Sequence, residues 1–329
     1  MRSLRTQITP LPPPTANFTG KTIMITGANS GLGLEAARHF VRLNAHKVII
    51  GCRNVNKGEK AKTDIESSLG TAGVVEVWHV DLSSFDSVKD FCRRASTLDR
   101  LDIVVENAGM LATNYEVFEG YERQITVNVI STYLMAILLL PTLRKTMSIY
   151  QAEHLPDVPH IVIVGSNSHF TAAFEQRNEP SIFESLRDDS FMFQRYSTSK
   201  LLSVFVSREL AKRLSTSSSM KPTDVVLNVV DPGFCQSDIL REKSFDPVFN
   251  VVMAFLMKVL ARSAEMGART YVMAASAGPE SHGRYLEDCE LSTPSPFVES
   301  EEGQRIEGKV FDELLAILEG IEAGISKNI

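Results

Sequence analysis

One glycine-rich stretch decides how this chain folds: Thr26-Gly27-Ala28-Asn29-Ser30-Gly31-Leu32-Gly33. It follows the apolar run Lys21–Thr26 and precedes a segment with helical spacing, so it joins a strand to the start of a helix. Glycine lets the backbone approach a ligand closely, and the free N–H groups at a helix N-terminus attract anions. The stretch therefore predicts a turn that binds the pyrophosphate of a dinucleotide. The alternative is a tight connection that binds nothing.

Outward from this turn, short β-branched runs alternate with longer segments of helical spacing. The predicted strands are Lys21–Thr26, Lys47–Gly51, Val74–Val80, Asp102–Val105, His160–Val164 and Asp224–Val230. The predicted helices are Leu34–Leu43, Val55–Ser68, Phe85–Thr97, Gln124–Lys145 and Tyr196–Leu214. Most of the strands are continuous apolar runs, as in a parallel sheet that helices cover on both faces. The alternation predicts an α/β chain with a single doubly wound parallel sheet, the Rossmann architecture.

Composition agrees with a globular protein of this kind. Of 329 residues, 43% are hydrophobic and 22% are charged, which excludes a wholly disordered chain. The net charge of −6 does not favour nucleic-acid binding. We predict a Pro-containing, extended and poorly ordered lead-in over residues 1–20 and one dinucleotide-binding catalytic domain over residues 21–329. The lead-in lacks the apolar core of a signal peptide, and the four cysteines lack disulfide or zinc spacing, so a cytoplasmic location is expected.

Two stretches of the sequence are apolar enough to suggest a membrane span. Val129–Leu140 is too short to cross a bilayer, and Pro247–Leu260 is interrupted by Asn250 and Lys258, so no membrane span is predicted.

Two long insertions follow strand ends, where open α/β sheets bind their ligands. Asn167–Arg195 is polar and charged, whereas Phe234–Arg262 is apolar. The second is predicted to form a substrate lid, and its large apolar residues are Phe245, Phe249, Met253, Phe255 and Met257. A helix packed on the domain or on a partner subunit is the alternative.

The spacing of the glycines identifies a family. Three residues separate Gly27 from Gly31 and one separates Gly31 from Gly33, and this T-G-x-x-x-G-x-G pattern resembles the turn of the short-chain dehydrogenase/reductase superfamily. The resemblance implies that the turn binds a nicotinamide dinucleotide through Gly27, Ser30, Gly31, Leu32 and Gly33. It extends, motif by motif, from about Thr22 to Gly233.

The end of the second predicted strand indicates which dinucleotide. Many NAD enzymes have an acidic residue here, whereas an arginine accommodates the 2′-phosphate of NADP. This chain has Arg53, with Lys57 one turn later, so the sequence predicts NADP(H). A solvated basic residue at the start of a surface helix is the alternative.

Two further segments resemble the adenosine-binding parts of the family. Asp81 is expected to accept a hydrogen bond from the adenine amine, although a helix N-cap is an equal reading of this residue alone. Asn107-Ala108-Gly109 matches the family's N-A-G, which implies that Asn107 and Gly109 contact the cofactor. The preceding residue is Glu106, where many relatives have a second asparagine.

Tyr196 and Lys200 are four residues apart on a predicted helix and so project from one face. A nearby ammonium favours a phenolate and is expected to lower the pKa of Tyr196 towards the range useful for proton transfer. By itself the pair is more often a packed tyrosine beside an extended lysine. Ser166 follows the fifth predicted strand and aligns with the catalytic serine of the family, with Ser168 as a competitor and Gly165 in place of the usual first serine.

Other catalytic and nicotinamide-end residues come from the resemblance. Asn128 matches the family's helix-distorting asparagine in the proton relay, the alternative being a residue that caps or bends the helix locally. Pro232 and Gly233 match the P-G after the sixth strand, and Ser237 stands where relatives usually have threonine near the carboxamide.

These motifs predict an NADP(H)-dependent enzyme that interconverts a carbonyl and an alcohol. The Gly51-Cys52-Arg53 and Ser166–His169 segments resemble a retinol-dehydrogenase-like branch, and Glu106 with Ser281–Tyr285 resembles fungal members of secondary-metabolite pathways. A bulky apolar substrate, such as a polyketide, isoprenoid or retinoid, is expected, and a homo-oligomer is compatible with the family. The alternatives are a catalytically silent NADP(H)-binding regulator of the same fold and an interaction protein that uses the apolar lid.

Overall fold

The computed structural model describes residues 4–153, 157–217, 224–237, 239 and 257–329. Its strands are β1 (Thr22–Thr26), β2 (Lys47–Cys52), β3 (Val75–His79), β4 (Ile103–Glu106), β5 (Val117–Phe118), β6 (Tyr121–Glu122), β7 (His160–Val164), β8 (Val226–Asp231), β9 (Tyr285–Glu287) and β10 (Glu290–Ser292). Eight of them form one sheet in the order β10-β9-β8-β7-β4-β1-β2-β3, and β5 pairs with β6 in a separate hairpin. All pairs in the large sheet are parallel except β9 with β10.

Helices connect these strands and cover both faces of the sheet. They are α1 (Leu4–Ile8), α2 (Gly31–Arg42), α3 (Val55–Leu69), α4 (Phe85–Ala95), α5 (Arg123–Ile125), α6 (Thr132–Ala152), α7 (Ile182–Ser185), α8 (Met192–Ser217), α9 (Ala264–Ser276), α10 (Pro296–Glu299) and α11 (Glu301–Ile321). A π-helical segment, Thr126–Ser131, joins α5 to α6. Apolar residues of α4, α6, α8 and α11 form the core on one face, and those of α2, α3 and α9 form it on the other.

The six predicted strands and the α/β fold class are confirmed. Strand β1 begins one residue later than expected and β8 two residues later. The short strands β9 and β10 were not predicted, because three residues are too few to show a periodicity. Both long insertions, Asn167–Arg195 and Phe234–Arg262, begin within three residues of the end of a strand. The first insertion contains α7 and the start of α8.

The segment before β1 packs against the domain. Leu11 and Phe18 are buried, and the ring of Phe18 lies 4.9 Å from that of Phe40 in α2. The expectation of a poorly ordered lead-in therefore does not describe residues 4–20. Composition indicated the proline-rich backbone but not the two apolar anchors that fix it to the body of the protein.

The helical run Arg123–Ala152 is continuous over 30 residues and is long and apolar enough to cross a membrane by length and composition. The helix is therefore longer than the apolar stretch Val129–Leu140, whose shortness had indicated that it does not span a membrane. However, 89% of its apolar window is buried inside the protein, between the sheet and neighbouring helices, which is the environment of a core helix.

Candidate active site

A cavity of about 880 Å³ opens at the carboxyl ends of the parallel strands. Parallel strands present these ends at one edge of the sheet, so residues distant in sequence meet there. The predicted site residues that line it are Gly27, Ser30, Gly31, Leu32, Gly33, Arg53, Asp81, Asn107, Gly109, Ser166, Tyr196, Lys200, Pro232, Gly233 and Ser237. Lys57 and Asn128 are not among its lining residues.

The glycine-rich turn has the conformation that its sequence requires. Gly27 and Gly31 have positive φ angles of 68° and 59°, which side chains other than glycine rarely adopt. A Cβ on Gly33 would lie 2.5 Å from Asn107 Nδ2 and 2.9 Å from the carbonyl oxygen of Gly27. The three glycines thus let β1, the start of α2 and Asn107 close around a concave backbone surface that fits a pyrophosphate.

Asn107 is held in place from two sides. Its Nδ2 donates to the Thr26 carbonyl oxygen at 2.7 Å, and its Oδ1 accepts from the Tyr271 hydroxyl at 3.1 Å. Tyr271 lies on α9 and also lines the cavity. Sequence reasoning missed it, because it lies in a helix beyond the last recognised motif and carries no local signature.

The residue that follows β2 brings a basic side chain to the cavity. Arg53 is exposed, lines the cavity and forms no ion pair with any residue that the structure describes. Lys57 lies in the first turn of α3, where its backbone N–H donates to Asn54 Oδ1. Its side chain is not among those that line the cavity.

Asp81 follows β3 and is not the N-cap of the next helix. Its Oδ1 accepts hydrogen bonds from the backbone N–H and the hydroxyl of Ser83, whereas Ser84 caps α4 by accepting from Ser87 N–H. The capping alternative is therefore wrong, and the Asp81 carboxylate is oriented at the cavity wall by a local turn.

Ser166 stands at the end of β7 with its hydroxyl in a defined environment. Its Oγ accepts from the backbone N–H of Ser168 at 3.2 Å, and its side chain acts to lower the pKa of Tyr196. Ser168 does not line the cavity. A Cβ on Gly165 would lie 2.8 Å from Val229 Cγ1, so the space that the family's first serine would need is filled by β8.

Burial dominates the protonation of the Tyr196–Lys200 pair. It raises the pKa of Tyr196 to about 12, partly offset by the hydrogen bond with Ser166, and it lowers the pKa of Lys200 to about 8. Lys200 Nζ donates to the Val164 carbonyl oxygen at 2.7 Å and lies 5.8 Å from the centre of the Tyr196 ring. The expected lowering of the tyrosine pKa is thus not seen, because burial disfavours the charged phenolate.

Asn128 lies in the π-helical segment, so the helix is distorted at this residue as the resemblance implies. Its Oδ1 accepts from Met110 N–H at 2.8 Å, and its Nδ2 donates to the Met110 carbonyl oxygen and to Ser199 Oγ. A Cβ on Gly109 would lie 3.2 Å from Asn128 Oδ1 and 3.7 Å from Lys200 Nζ. Gly109 therefore leaves open a space between these two side chains.

The turn after β8 forms a further part of the cavity wall. Gly233 has a φ of 80°, and its N–H donates to Asp231 Oδ1 at 2.8 Å. Phe234, Ile239 and Met257 add apolar side chains to the cavity. The predicted lid residues Phe245, Phe249, Met253 and Phe255 lie outside the described residues.

Comparison with known proteins gives consistent matches. A family model described as short chain dehydrogenase matches residues 21–152. The short chain dehydrogenase/reductase dmxR8 of Cryptosporiopsis sp. is 40% identical over 327 residues, which cover 97% of this chain and 96% of the relative. The short chain dehydrogenase atnD of Emericella nidulans is 44% identical over 290 residues, covering 87% and 90% of the two chains.

A solved structure shares the architecture. The short-chain type dehydrogenase/reductase of Mycobacterium marinum superposes with a TM-score of 0.61 and 20% identity, covering 82% of this chain and 94% of its own. At this identity the likeness concerns the fold alone.

Proposed function

Because the chain belongs to the short-chain dehydrogenase/reductase family, we propose that it is an NADP(H)-dependent oxidoreductase that interconverts a carbonyl and an alcohol on a bulky apolar substrate. One observation carries this proposal. Ser166 and Tyr196 both line the cavity that the glycine-rich turn and Arg53 also line, and the Ser166 side chain acts to lower the pKa of Tyr196. A pair of hydroxyl donors at one point suits an oxygen on which negative charge develops.

The residues present fit a nicotinamide dinucleotide. The turn at Gly27, Gly31 and Gly33 would hold the pyrophosphate on backbone N–H groups, and Asp81 and Asn107 would face the adenosine side. The guanidinium of Arg53 would bind the 2′-phosphate of NADP, because its planar donors match phosphate oxygens and no described carboxylate competes for it. When bound, the nicotinamide supplies or accepts the hydride.

Ser166 and Tyr196 have different roles at the substrate oxygen: Ser166 donates a hydrogen bond and Tyr196 donates the proton. Because Ser166 Oγ already accepts from Ser168 N–H, its own proton is available to donate to a carbonyl oxygen. The raised pKa of Tyr196 keeps the phenol protonated at neutral pH, which is the state needed to donate a proton during reduction. We assign Lys200 and Asn128 to proton resupply and cofactor orientation, because both border the space beside Gly109.

The apolar substrate class is supported by the side chains at the nicotinamide end. Phe234, Ile239 and Met257 are uncharged and bulky, and methionine adapts to irregular ligand shapes. We propose a polyketide-, isoprenoid- or retinoid-like ketone or aldehyde, with the lid at about residues 234–262 contributing to its pocket. The fungal relatives are consistent with a role in secondary metabolism.

The test is NADPH oxidation by the purified protein with a panel of apolar ketones and aldehydes, and with NADH in parallel. Tyr196→Phe should lower kcat by about 10²- to 10⁴-fold, because it removes the proton donor, while the Kd for NADPH stays within about twofold. Ser166→Ala should lower kcat, and Ser168→Ala should not. A Tyr196→Phe enzyme with near-normal turnover would contradict the mechanism.

The same experiment separates the regulator alternative. A protein that binds NADPH tightly but turns over no substrate in the panel, and whose Tyr196→Phe variant behaves identically, would favour a silent NADP(H)-binding regulator. Binding of neither cofactor would contradict both readings.

A further inference from the structure

We propose that His169 is a positioning residue for Ser166, and that the C-terminal segment from Ser295 to Ile321 sets the geometry of the active site through it. The inference rests on the proposed function, since it concerns the serine that would hold the substrate oxygen. It assigns a role to a part of the chain that lies beyond both the family-model match and the recognised motifs.

The imidazole of His169 connects two backbone groups that are far apart in sequence. Its Nδ1 lies 2.7 Å from the carbonyl oxygen of Ser166, and its Nε2 lies 3.0 Å from the backbone nitrogen of Ser295. A carbonyl only accepts and a backbone N–H only donates, so Nδ1 carries the proton and Nε2 is the acceptor. The ring is 2% exposed, and Tyr285 packs against it edge-on at 5.0 Å. Both ring nitrogens are therefore satisfied only in one neutral tautomer.

The Ser166 carbonyl has no other side-chain support among the described hydrogen bonds. The backbone N–H of His169 also donates to it, at 3.3 Å, so residue 169 holds the serine through both its main chain and its side chain. Because the carbonyl and Oγ of Ser166 belong to one residue in an extended conformation, the bonds that fix this carbonyl also restrict the backbone from which the hydroxyl projects.

Ser295 is itself fixed to the helix that carries Tyr196. It precedes α10, whose Glu299 pairs with Arg208 of α8 at 2.6 Å, and Arg208 also pairs with the buried Glu307 of α11 at 2.8 Å. The ring of Phe297 lies 6.0 Å from that of Phe205 in α8. Contacts therefore run from α8 through the C-terminal segment to His169 and Ser166, so this packing helps to place Ser166 relative to Tyr196.

Substitutions at His169 separate its two contacts. The amide of asparagine lies at the same bond distance from Cα as Nδ1, so His169→Asn retains a donor for Ser166 but does not reach Ser295. The longer side chain of His169→Gln reaches Ser295 but no longer places a donor at the Ser166 carbonyl. His169→Phe keeps an aromatic ring and removes both hydrogen bonds. We expect kcat per NADPH-binding site to fall about 10- to 100-fold in His169→Phe, as for a small misplacement of a reacting group, and less in His169→Asn, with the Kd for NADPH unchanged.

A second, half-buried histidine supplies the matched control. His282 accepts from Leu227 N–H at 3.1 Å and donates to the Ala211 carbonyl at 2.9 Å, but it does not line the cavity and has no contact with Ser166. His282→Phe removes the same kind of bridge and should lower the thermal midpoint without changing kcat per NADPH-binding site. Counting sites by NADPH titration removes any loss of folded protein from the comparison.

A double-mutant cycle decides whether His169 acts through Ser166. If it does, His169→Phe costs little further kcat in a Ser166→Ala background, because the group it positions is already absent. Full additivity of the two losses, or a wild-type kcat in His169→Phe, would overturn the inference. If Tyr196→Phe remains active in the same assay, the proposed function fails instead.

Discussion

Glu106 is a carboxylic acid in the centre of the protein. It ends β4, is 3% exposed, and receives a weak hydrogen bond from Thr26 Oγ1 at 3.4 Å, while its Oε1 has no partner. Burial raises the pKa of Glu106 to about 8. The side chain is therefore neutral at pH 7 and, like the asparagine that the family resemblance implies at this position, places no charge in the core.

This pKa predicts a pH-dependent stability. The folded state holds the proton more tightly than the unfolded chain, whose glutamate has a pKa near 4.5. The free energy of unfolding therefore falls as pH rises from about 4.5 to about 8 and levels off above that, by a few kcal/mol in all. Glu106→Gln cannot ionise, so it should be more stable than the wild type at pH 8.5, and the difference should shrink towards pH 5.

The measurement is urea unfolding of both proteins at pH 5, 7 and 8.5. Comparing the two removes the slopes that Lys200 and the buried histidines contribute, because both proteins share them. A difference in unfolding free energy that is the same at all three pH values would show that Glu106 does not titrate in this range.

The catalytic residues illustrate what sequence can and cannot predict. The spacing of Tyr196 and Lys200 and the position of Ser166 after a strand were sufficient to predict a common site, and all three residues line one cavity. The direction of the Tyr196 pKa shift was wrong, because it depends on burial, and burial is a property of the packed fold. Tyr271 and His169 were not assigned for a similar reason: their partners, Asn107 and Ser295, are more than 100 residues away.

At the scale of elements, Gln7 in the N-terminal helix α1 forms hydrogen bonds with both ends of the predicted lid, and we call this arrangement the N-terminal clasp. Gln7 Nε2 donates to the carbonyl oxygens of Phe234 at 2.7 Å and Leu260 at 3.0 Å, and Gln7 Oε1 accepts from Phe234 N–H at 3.2 Å. Arg262 donates in return to the carbonyl oxygens of Gln7 and Thr6. One glutamine side chain thus satisfies three backbone groups, two of them on Phe234, which lines the cavity.

Gln7→Ala should lower the free energy of unfolding by about 2 kcal/mol, because it leaves buried backbone groups without partners. Ile8→Ala is the matched control: Ile8 neighbours Gln7 on α1 and is 64% exposed, so its truncation should change stability by less than about 0.5 kcal/mol. Urea unfolding of the three proteins measures both. Equal stability of Gln7→Ala and the wild type would mean that the clasp contributes nothing.

The strands and helices with the most regular hydrophobic pattern were predicted best. The six apolar strands were found within two residues, and five long helices were found with bounds that differ by up to seven residues, whereas α9 and α11 were not predicted. The N-terminal clasp was missed because its specificity comes from one polar side chain that bonds to backbone atoms, and no pattern in the first 20 residues indicates those partners. The C-terminal strands β9 and β10 were too short to be recognised.

Across the whole molecule, the sheet order places the cavity between two halves. Strands β1, β2 and β3 bring the glycine-rich turn, Arg53 and Asp81 to one side, and β7 and β8 bring Ser166 and the Pro232-Gly233 turn to the other. A dinucleotide bound as proposed contacts both halves at once. Its binding free energy therefore adds to the stability of the entire fold, by about 2.7 kcal/mol at a hundredfold excess over Kd.

Arg53 should determine which dinucleotide stabilises the protein more. With wild-type protein, NADPH should raise the thermal midpoint further than NADH at equal concentration, because only NADPH carries the 2′-phosphate. Arg53→Ala should weaken NADPH binding by at least about tenfold, equivalent to about 1.4 kcal/mol, and leave the NADH shift unchanged.

Lys60→Ala is the matched control for charge, since Lys60 is exposed on the following helix α3 and does not line the cavity. It removes the same net charge and should preserve the preference for NADPH. Because an exposed guanidinium–phosphate contact is screened by salt, the NADPH advantage of the wild type should also narrow from 50 to 500 mM NaCl, and that of Arg53→Ala should not. If Arg53→Ala keeps the full advantage of NADPH over NADH at low salt, the 2′-phosphate is bound elsewhere, and Lys57→Ala becomes the next variant to measure.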